Sequence, residues 1–380
     1  GVIGILGDGA IHDAPLARPL KFADPVKSAR RYARFLKEKE KTDMVICLSH
    51  SGVTKDKSGQ WSGEDVNLAR KVPEIDLIIS GHTHTLLETP IIINNTPIVQ
   101  TGAYGKGVGK LVFKIGQQEI KLIEAKVIPV TDDIQGNNEI QQKITQQQEA
   151  ITEKILKPTG LSYTSPVTET SFPLICNEDS MLANSNLGPL IADALFEYVN
   201  RQVPQGTDIT IFPAGMVRDN IIPGKEGKQS VADIFRVVSL GSGKDKIPGY
   251  PLARVYVTGK ELKGILEILY IAPSSSPDNY IYYGGLRATY NPDKGLLKKI
   301  TSIETGNPDK GFKKVDWSKT NPQLYSITAN TYLLEFVGII NKLSKGLVKV
   351  TLKDENGKPL KSIYDAIIDA DSEKPGIQEI

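Results

Sequence analysis

The chain has 380 residues, 39% of them apolar and 24% charged, enough for two domains of ordinary size. A formal net charge of +2 gives no bulk electrostatic case for nucleic acid or an anionic membrane surface. No apolar run approaches the roughly 18 residues of a membrane span, and 34 Gly with 23 Pro read as a loop-rich globular protein.

The first stretch, Gly1-Val2-Ile3-Gly4-Ile5-Leu6, has neither an initiator Met nor the charged region of a signal peptide, and reads as a strand cut or processed there. A Gly-Asp-Gly turn follows, with Asp8, His12 and Asp13 expected in an irregular loop. Asp24-Pro25 is a cap residue followed by Pro at the first helical position. A helix is therefore expected over 25–41, with Val26, Ala29, Ala33 and Leu36 on its apolar side. Strands are expected at 44–48, 77–79, 96–100, 110–114 and 120–128, with a short helix at 65–70. This alternation argues an α/β layered domain. Of the two cysteines, Cys47 and Cys176, the first lies within an apolar strand and reads as a small buried hydrophobe rather than half a disulfide.

Residues 138–156 are rich in Gln, Glu and Lys, with Ile140, Ile144, Ile151 and Ile155 at helical spacing, the pattern of an exposed linker helix. Pro158-Thr159-Gly160 then breaks the chain. The expected organisation is a first domain over 1–135, a linker helix over 136–158 and a mixed α/β domain over 159–380. In that last domain helices are expected at 187–196, 231–238, 259–271, 331–342 and 363–369. Its strands are expected at 208–212, 253–257, 285–290 and 324–328.

Three of the four histidines fall at the ends of two apolar runs: His50 after Met44-Val45-Ile46-Cys47-Leu48-Ser49, and His82 and His84 in Ser80-Gly81-His82-Thr83-His84. Open α/β sheets place their ligands at the C-terminal ends of strands, and neutral imidazole is a common metal ligand. The alternative for His82 and His84 alone is a pair of hydrogen-bonded histidines on a strand-end turn; the third histidine favours a metal site. On a continuing strand His82 and His84 would share one face; on a turn they could converge on one ion or on two neighbouring ions. His12 is a tempting fourth ligand but reads better as a surface-loop residue. In the second domain Arg218 follows a strand and a Gly turn, the place for an anion clamp or for a structural ion pair. Asn186 is first a helix-cap candidate and second a ligand contact. Tyr282-Tyr283-Gly284-Gly285 offers an aromatic platform or, more simply, packing.

Several of these motifs recur together and in order. Leu48-Ser49-His50-Ser51-Gly52, Glu64-Asp65 through Leu68-Ala69, Ile75 through Thr85, and Thr96 through Gly102 resemble the 5′-nucleotidase family of metallophosphoesterases. So do Asn186-Leu187-Gly188 with Ala192-Asp193-Ala194, Ala214-Gly215 with Arg218, Val257-Thr258-Gly259, and Gly284-Gly285-Leu286-Arg287. The resemblance implies the later part of a four-layer αββα metallophosphoesterase domain followed by a mixed α/β substrate-specificity domain. It implies an extracytoplasmic hydrolase of a small-molecule phosphoester, using two divalent ions such as Zn²⁺ or Mn²⁺. By the match His50 and His82 would hold one ion and His84 the other, while Asn186, Gly215, Arg218 and Arg287 would meet the substrate. The family's catalytic His and its other ligands lie in motifs upstream of Gly1, so the chain alone is expected to hydrolyse little. Metal identity and oligomeric state stay open.

The second domain departs from the family pattern at Asn184, Pro213, Met216, Ser239-Leu240-Gly241-Ser242 and Glu335-Phe336-Val337-Gly338. Leu240 stands where a base-stacking ring is usual, and a ring's face contributes roughly 1–3 kcal/mol per base. The substrate is thus open between a nucleotide and a related phosphomonoester or diester. The rival reading is a non-catalytic binding or surface protein that keeps the fold. A split enzyme completed by another chain is a third.

Overall fold

The computed structural model describes residues 1–370 except 13, 15, 16, 18, 57, 117, 118, 158, 159, 177–183, 225, 244–247, 272–278 and 338–347. Two compact units, Gly1–Ile140 and Gln141–Ile380, divide it. In the first, the elements are β1 (Val2–Leu6), α1 (Asp8–His12), α2 (Pro25–Glu38), β2 (Ile46–His50), β3 (Thr54–Lys55), β4 (Trp61–Ser62) and α3 (Glu64–Lys71). They continue with β5 (Leu77–Ile79), β6 (Ile91–Ile93), β7 (Thr96–Val99), β8 (Gly107–Ile115) and β9 (Ile120–Pro129).

Strands order as β1-β2-β5-β7-β6, with β6 the antiparallel edge and the others parallel. Alternation decides what each face carries. Ile3, Cys47, Ile78 and Ile98 point to one face and form a core with Ala29 and Ala33 of α2 and Val66, Leu68 and Ala69 of α3. Among the described residues little covers the other face. Val2, Leu6, Leu48 and Ile79 are 61%, 38%, 48% and 39% exposed, although parallel sheets ordinarily have both faces covered. Leu48 pairs with Ile79 and His50 with Leu6, so His50 lies on this exposed face and Ser49 on the covered one. The hairpin β8–β9 has no buried residue in either strand.

Helix α2 is capped as expected, the Asp24 carboxylate accepting the Lys27 N–H at 2.8 Å. Where a Gly-Asp-Gly turn was expected, Asp8–His12 is a short helix, because the Glu64 carboxylate accepts the N–H groups of Asp8 and Gly9 at 2.7 and 2.9 Å and satisfies its N-terminal donors. Asp13 lies outside the described residues, as does the His12 side chain. The second strand runs to His50 rather than stopping at Leu48. Cys47 and Cys176 are buried and not joined in a disulfide; burial pushes the Cys47 thiol up to about 12, with Asp65 adding to the shift.

The unit boundary falls within α4 (Asn138–Ile151), which buries no residue and runs into a π-turn at Thr152–Leu156. The second unit continues with β10 (Pro166–Glu169), α5 (Leu187–Gln202), β11 (Ile209–Pro213), β12 (Lys228–Ser230), α6 (Val231–Val237), β13 (Leu252–Thr258), α7 (Gly259–Ile271), β14 (Ile281–Gly284) and β15 (Leu286–Tyr290). It closes with β16 (Ile300–Asn307), β17 (Gly311–Lys314), β18 (Leu324–Asn330) and α8 (Thr331–Glu335). A mixed sheet β13-β18-β11-β14 and an antiparallel sheet β15-β16-β17 enclose α7, whose Leu262, Ile265, Leu266 and Ile268 join the largest core. Leu187 and Ala192 of α5 pack in a separate core with Phe212 and Tyr282. Helix α8 covers the first part of the expected 331–342 and gives way to a turn at Phe336; 338–342 lie outside the described residues. Instead of a helix at 363–369 there is a 3₁₀ turn, Ile363–Ala366, started by the Ser362 hydroxyl accepting the Tyr364 N–H.

Candidate metal centre

The parallel strands β2, β5 and β7 end on one edge of the first sheet, and all three histidines lie at that edge. His50 is the last residue of β2. Beyond β5 the chain does not continue as a strand: Thr83 N–H donates to the Gly81 carbonyl at 2.9 Å, a tight turn. His82 and His84 both take left-handed backbone, at φ 71° and 53°. Each such residue costs roughly 1–2 kcal/mol for a side chain with Cβ, strain that persists only where the surroundings over-determine it.

The turn separates the two histidines. The His82 ring meets the His50 ring, centroids 5.0 Å apart and tilted 58°, while the His84 ring stands edge-on to Tyr104 at 5.5 Å. Gly81 lies close against this pair: a Cβ there would stand 3.3 Å from His50 Nδ1, a tight contact. The His82 ring reaches toward α1, its Nε2 3.6 Å from where a Cβ on Gly9 would be. Two imidazoles at this spacing fit two positions around one divalent ion of the borderline softness that nitrogen suits. Among the described residues, no group of three or more His, Cys, Asp or Glu side chains is gathered closely enough to hold an ion. The pair therefore fits part of a ligand set.

Beneath the edge lies a carboxylate whose part the sequence reading missed. Asp65, on α3, is fully buried. It accepts hydrogen bonds from the Ser49 hydroxyl at 2.6 Å, the Ser80 hydroxyl at 2.6 Å and the Gly52 N–H at 3.0 Å. Burial raises its proton affinity; the three hydrogen bonds oppose that shift. Gln100, 3% exposed just after β7, extends the set. Ser80 has one hydroxyl proton and Asp65 takes it, so the Gln100 amide is assigned with its NH₂ toward Ser80 at 3.1 Å. Its carbonyl then accepts the N–H groups of His84 and Thr85 at 3.1 and 2.9 Å. The signal in the sequence was an acidic residue in line with Val66, Leu68, Ala69 and Val72, an apolar helical stripe where a carboxylate needs partners.

The candidate substrate residues of the second unit are held differently. Arg218 donates from Nη1 to the Gly215 carbonyl at 3.3 Å, so these two are brought together at the 3₁₀ turn Ala214–Met216. Asn186 occupies the cap position of α5 without capping it; Ser185 Oγ accepts the Gly188 N–H instead. The Asn186 amide accepts the Ile175 N–H at 2.6 Å and donates to the Pro173 carbonyl at 3.0 Å, tying down segment 173–175. Arg287 lies over the Phe312 ring at 3.7 Å. Tyr282 is buried, its hydroxyl 3.4 Å from Cys176 Sγ, and Tyr283 is 39% exposed, so packing accounts for the first and leaves the second at the surface.

Residues 166–338 match the family described as 5′-nucleotidase, C-terminal domain, and residues 8–86 match calcineurin-like phosphoesterase. A trifunctional nucleotide phosphoesterase of Bacillus subtilis is 25% identical over 81% of this chain and 20% of its own length. A 5′-nucleotidase of Vibrio vulnificus is 25% identical over 76% of this chain and 55% of its own. This chain thus spans between a fifth and just over half the length of those curated relatives. Among solved structures, a 5′-nucleotidase precursor from Thermus thermophilus superposes with TM-score 0.60 at 18% identity, covering 89% of this chain and 63% of that one. A sulfate thiohydrolase from the same organism gives 0.56 at 20%, covering 96% and 58%. At such identities the likeness is one of fold, and this fold carries more than one chemistry.

Proposed function

Because this chain belongs to the 5′-nucleotidase family of metallophosphoesterases, we propose that it serves the metal-dependent hydrolysis of a small-molecule phosphoester. His50 and His82 would hold one divalent ion and His84 a second. The observation that carries this reading is the ring pair at 5.0 Å on adjacent strand ends, with His82 held in left-handed backbone. When bound, divalent ions at such a site supply Lewis acidity to the attacking water and to the phosphoryl oxygens. The chain's own residues orient those ions: Gly81 lies close against the His50–His82 pair, and the Gln100 carbonyl fixes the backbone of His84. In the second unit, Arg218 is the guanidinium suited to fork onto a phosphate or carboxylate, with Gly215, Asn186 and Arg287 as its companions. The substrate class is a nucleotide or a related phosphomonoester or diester, and the setting is extracytoplasmic, as the family resemblance implies. Among the described residues no helix is long and apolar enough to cross a membrane.

Calorimetric titration of the chain with Mn²⁺ and with Zn²⁺ tests the reading. His50→Ala and His82→Ala should each weaken binding at least about tenfold, the lower end of what losing even a partner that only orients a ligand costs. Unchanged affinity in both variants would remove the metal site from the account.

A further inference from the structure

Asp65 is an unusual carboxylate to find beneath a candidate metal centre, because its hydrogen-bond partners among the described residues include neither a histidine nor a cationic side chain. All three of its donors are neutral, and burying an ionised carboxylate is costly even when it is hydrogen-bonded. Those donors are distributed with a pattern. Ser49 immediately precedes His50, and Gly52 follows it by two residues, so the β2 exit is gripped on both sides of the histidine. Ser80 precedes His82 by two, on the neighbouring strand exit. From Ser80 the chain of hydrogen bonds passes to Gln100 and ends on the N–H groups of His84 and Thr85. Alternation puts Ser49 on the covered face toward α3 and His50 on the exposed face, so a contact below the sheet sets a ring above it. Each link donates in the same direction: His84 N–H to Gln100, Gln100 NH₂ to Ser80, Ser80 O–H to Asp65. Hydrogen bonds aligned this way polarise one another and stiffen the whole set.

We propose that Asp65 is a positioning residue for the candidate metal centre, holding the His50 exit directly and the His82–His84 turn through Ser80 and Gln100. The proposal rests on reading those histidines as ligands, and it adds the element that keeps them at ligand spacing without an ion. It also accounts for the left-handed backbone at His82 and His84, which needs a surrounding that leaves the turn no alternative.

The test uses the 380-residue chain with isotope-labelled histidines, its four imidazoles followed by NMR and assigned by single His→Gln variants. Two readouts are taken: the cross-ring contact between His50 and His82 without metal, and the Mn²⁺ concentration that broadens their signals. Asp65→Ala should abolish the cross-ring contact and weaken the Mn²⁺ response about 10–100-fold, the range for partners that orient ligands. Asp65→Asn, which keeps an acceptor for Ser80 and Gly52, should restore most of both. Gln100→Ala should speed amide exchange at His84 and Thr85 while leaving the His50–His82 contact. Val66→Ala, fully buried beside Asp65, should lower stability and move neither histidine readout. Should Asp65→Ala fail to fold, Ser80→Ala with Gln100→Ala decides, since together they cut the path to the second turn. A cross-ring contact and Mn²⁺ response that persist in folded Asp65→Ala, or in folded Ser80→Ala with Gln100→Ala where that pair decides, overturn the proposal. If the wild-type histidines ignore Mn²⁺ while Asp65→Ala still disperses them, the positioning role stands and the metal reading fails.

Discussion

Gly52, where the chain leaves β2, offers a sharp test of how rigidly the histidine edge is built. Its backbone lies at φ +91°, and an added Cβ would come within 2.3 Å of Thr83 Cγ2 and 3.0 Å of the Gly81 carbonyl. Thr83 cannot step aside freely, because its hydroxyl accepts the Val53 N–H and contacts Thr85 Oγ1. Gly52→Ala therefore meets two costs: about 1–2 kcal/mol for left-handed backbone and about 1–3 kcal/mol for overpacking. Gly59, at φ +81° with nothing within 4 Å of its Cβ position, isolates the first cost. Unfolding of the first unit can be followed by Trp61 fluorescence with Trp317, the second of two tryptophans, replaced by Phe. For a unit of this size about 1 kcal/mol moves Tm by about 4 °C. Gly59→Ala should thus lower Tm by about 4–8 °C and Gly52→Ala by about 8–20 °C. Equal losses would mean that Thr83 and the Gly81 carbonyl relax without resistance, and the argument for a rigid edge would fall.

Two further outcomes concern the second unit. Glu267, 2% exposed, accepts from Lys263 Nζ and from the N–H groups of Lys299 and Ile300, joining α7 to β16. Glu267→Leu strands a cation and two backbone donors and should cost about 3–5 kcal/mol in urea unfolding read at Trp317; a loss below about 1 kcal/mol would show the carboxylate to be dispensable. Glu261 is pushed up by burial but held net below its ordinary 4.5 by Lys353 and by Thr258. A depressed folded value means its stabilisation is complete above the unfolded pKa and is lost as pH falls through the folded one. Lys353→Met should therefore cost stability near neutral pH, with the gap from wild type narrowing as pH drops below 4.5; a constant gap would refute the assignment.

Much of the first sheet was legible because the continuous apolar runs at 2–6, 44–48 and 77–79 are what strands of a parallel sheet look like, and because three histidines closing two such runs have a chemical meaning. What escaped had partners rather than pattern. Strands β6, β16 and β17 are defined by antiparallel neighbours and carry little alternation of their own. The α1 helix exists because Glu64, far along the chain, satisfies its first donors. The separation of His82 from His84, which the family resemblance implied by giving them to different ions, depends on left-handed backbone at both residues that the local pattern does not show. Asn186 looked like a cap, but Ser185 took that work and freed the amide for Pro173 and Ile175.

The exposed face of the first sheet has a thermodynamic consequence for the candidate ion site proposed at its rim. Leu48 and Ile79 sit side by side there, Leu48 two residues before His50 on the same face of β2. Whatever surface comes to rest on them also strips solvent from the imidazole and lowers the dielectric around it, which tightens a cation's hold on its ligands. Linkage then runs both ways: covering the aliphatic shelf raises the affinity of the centre, and loading the centre favours the covered state by the same factor.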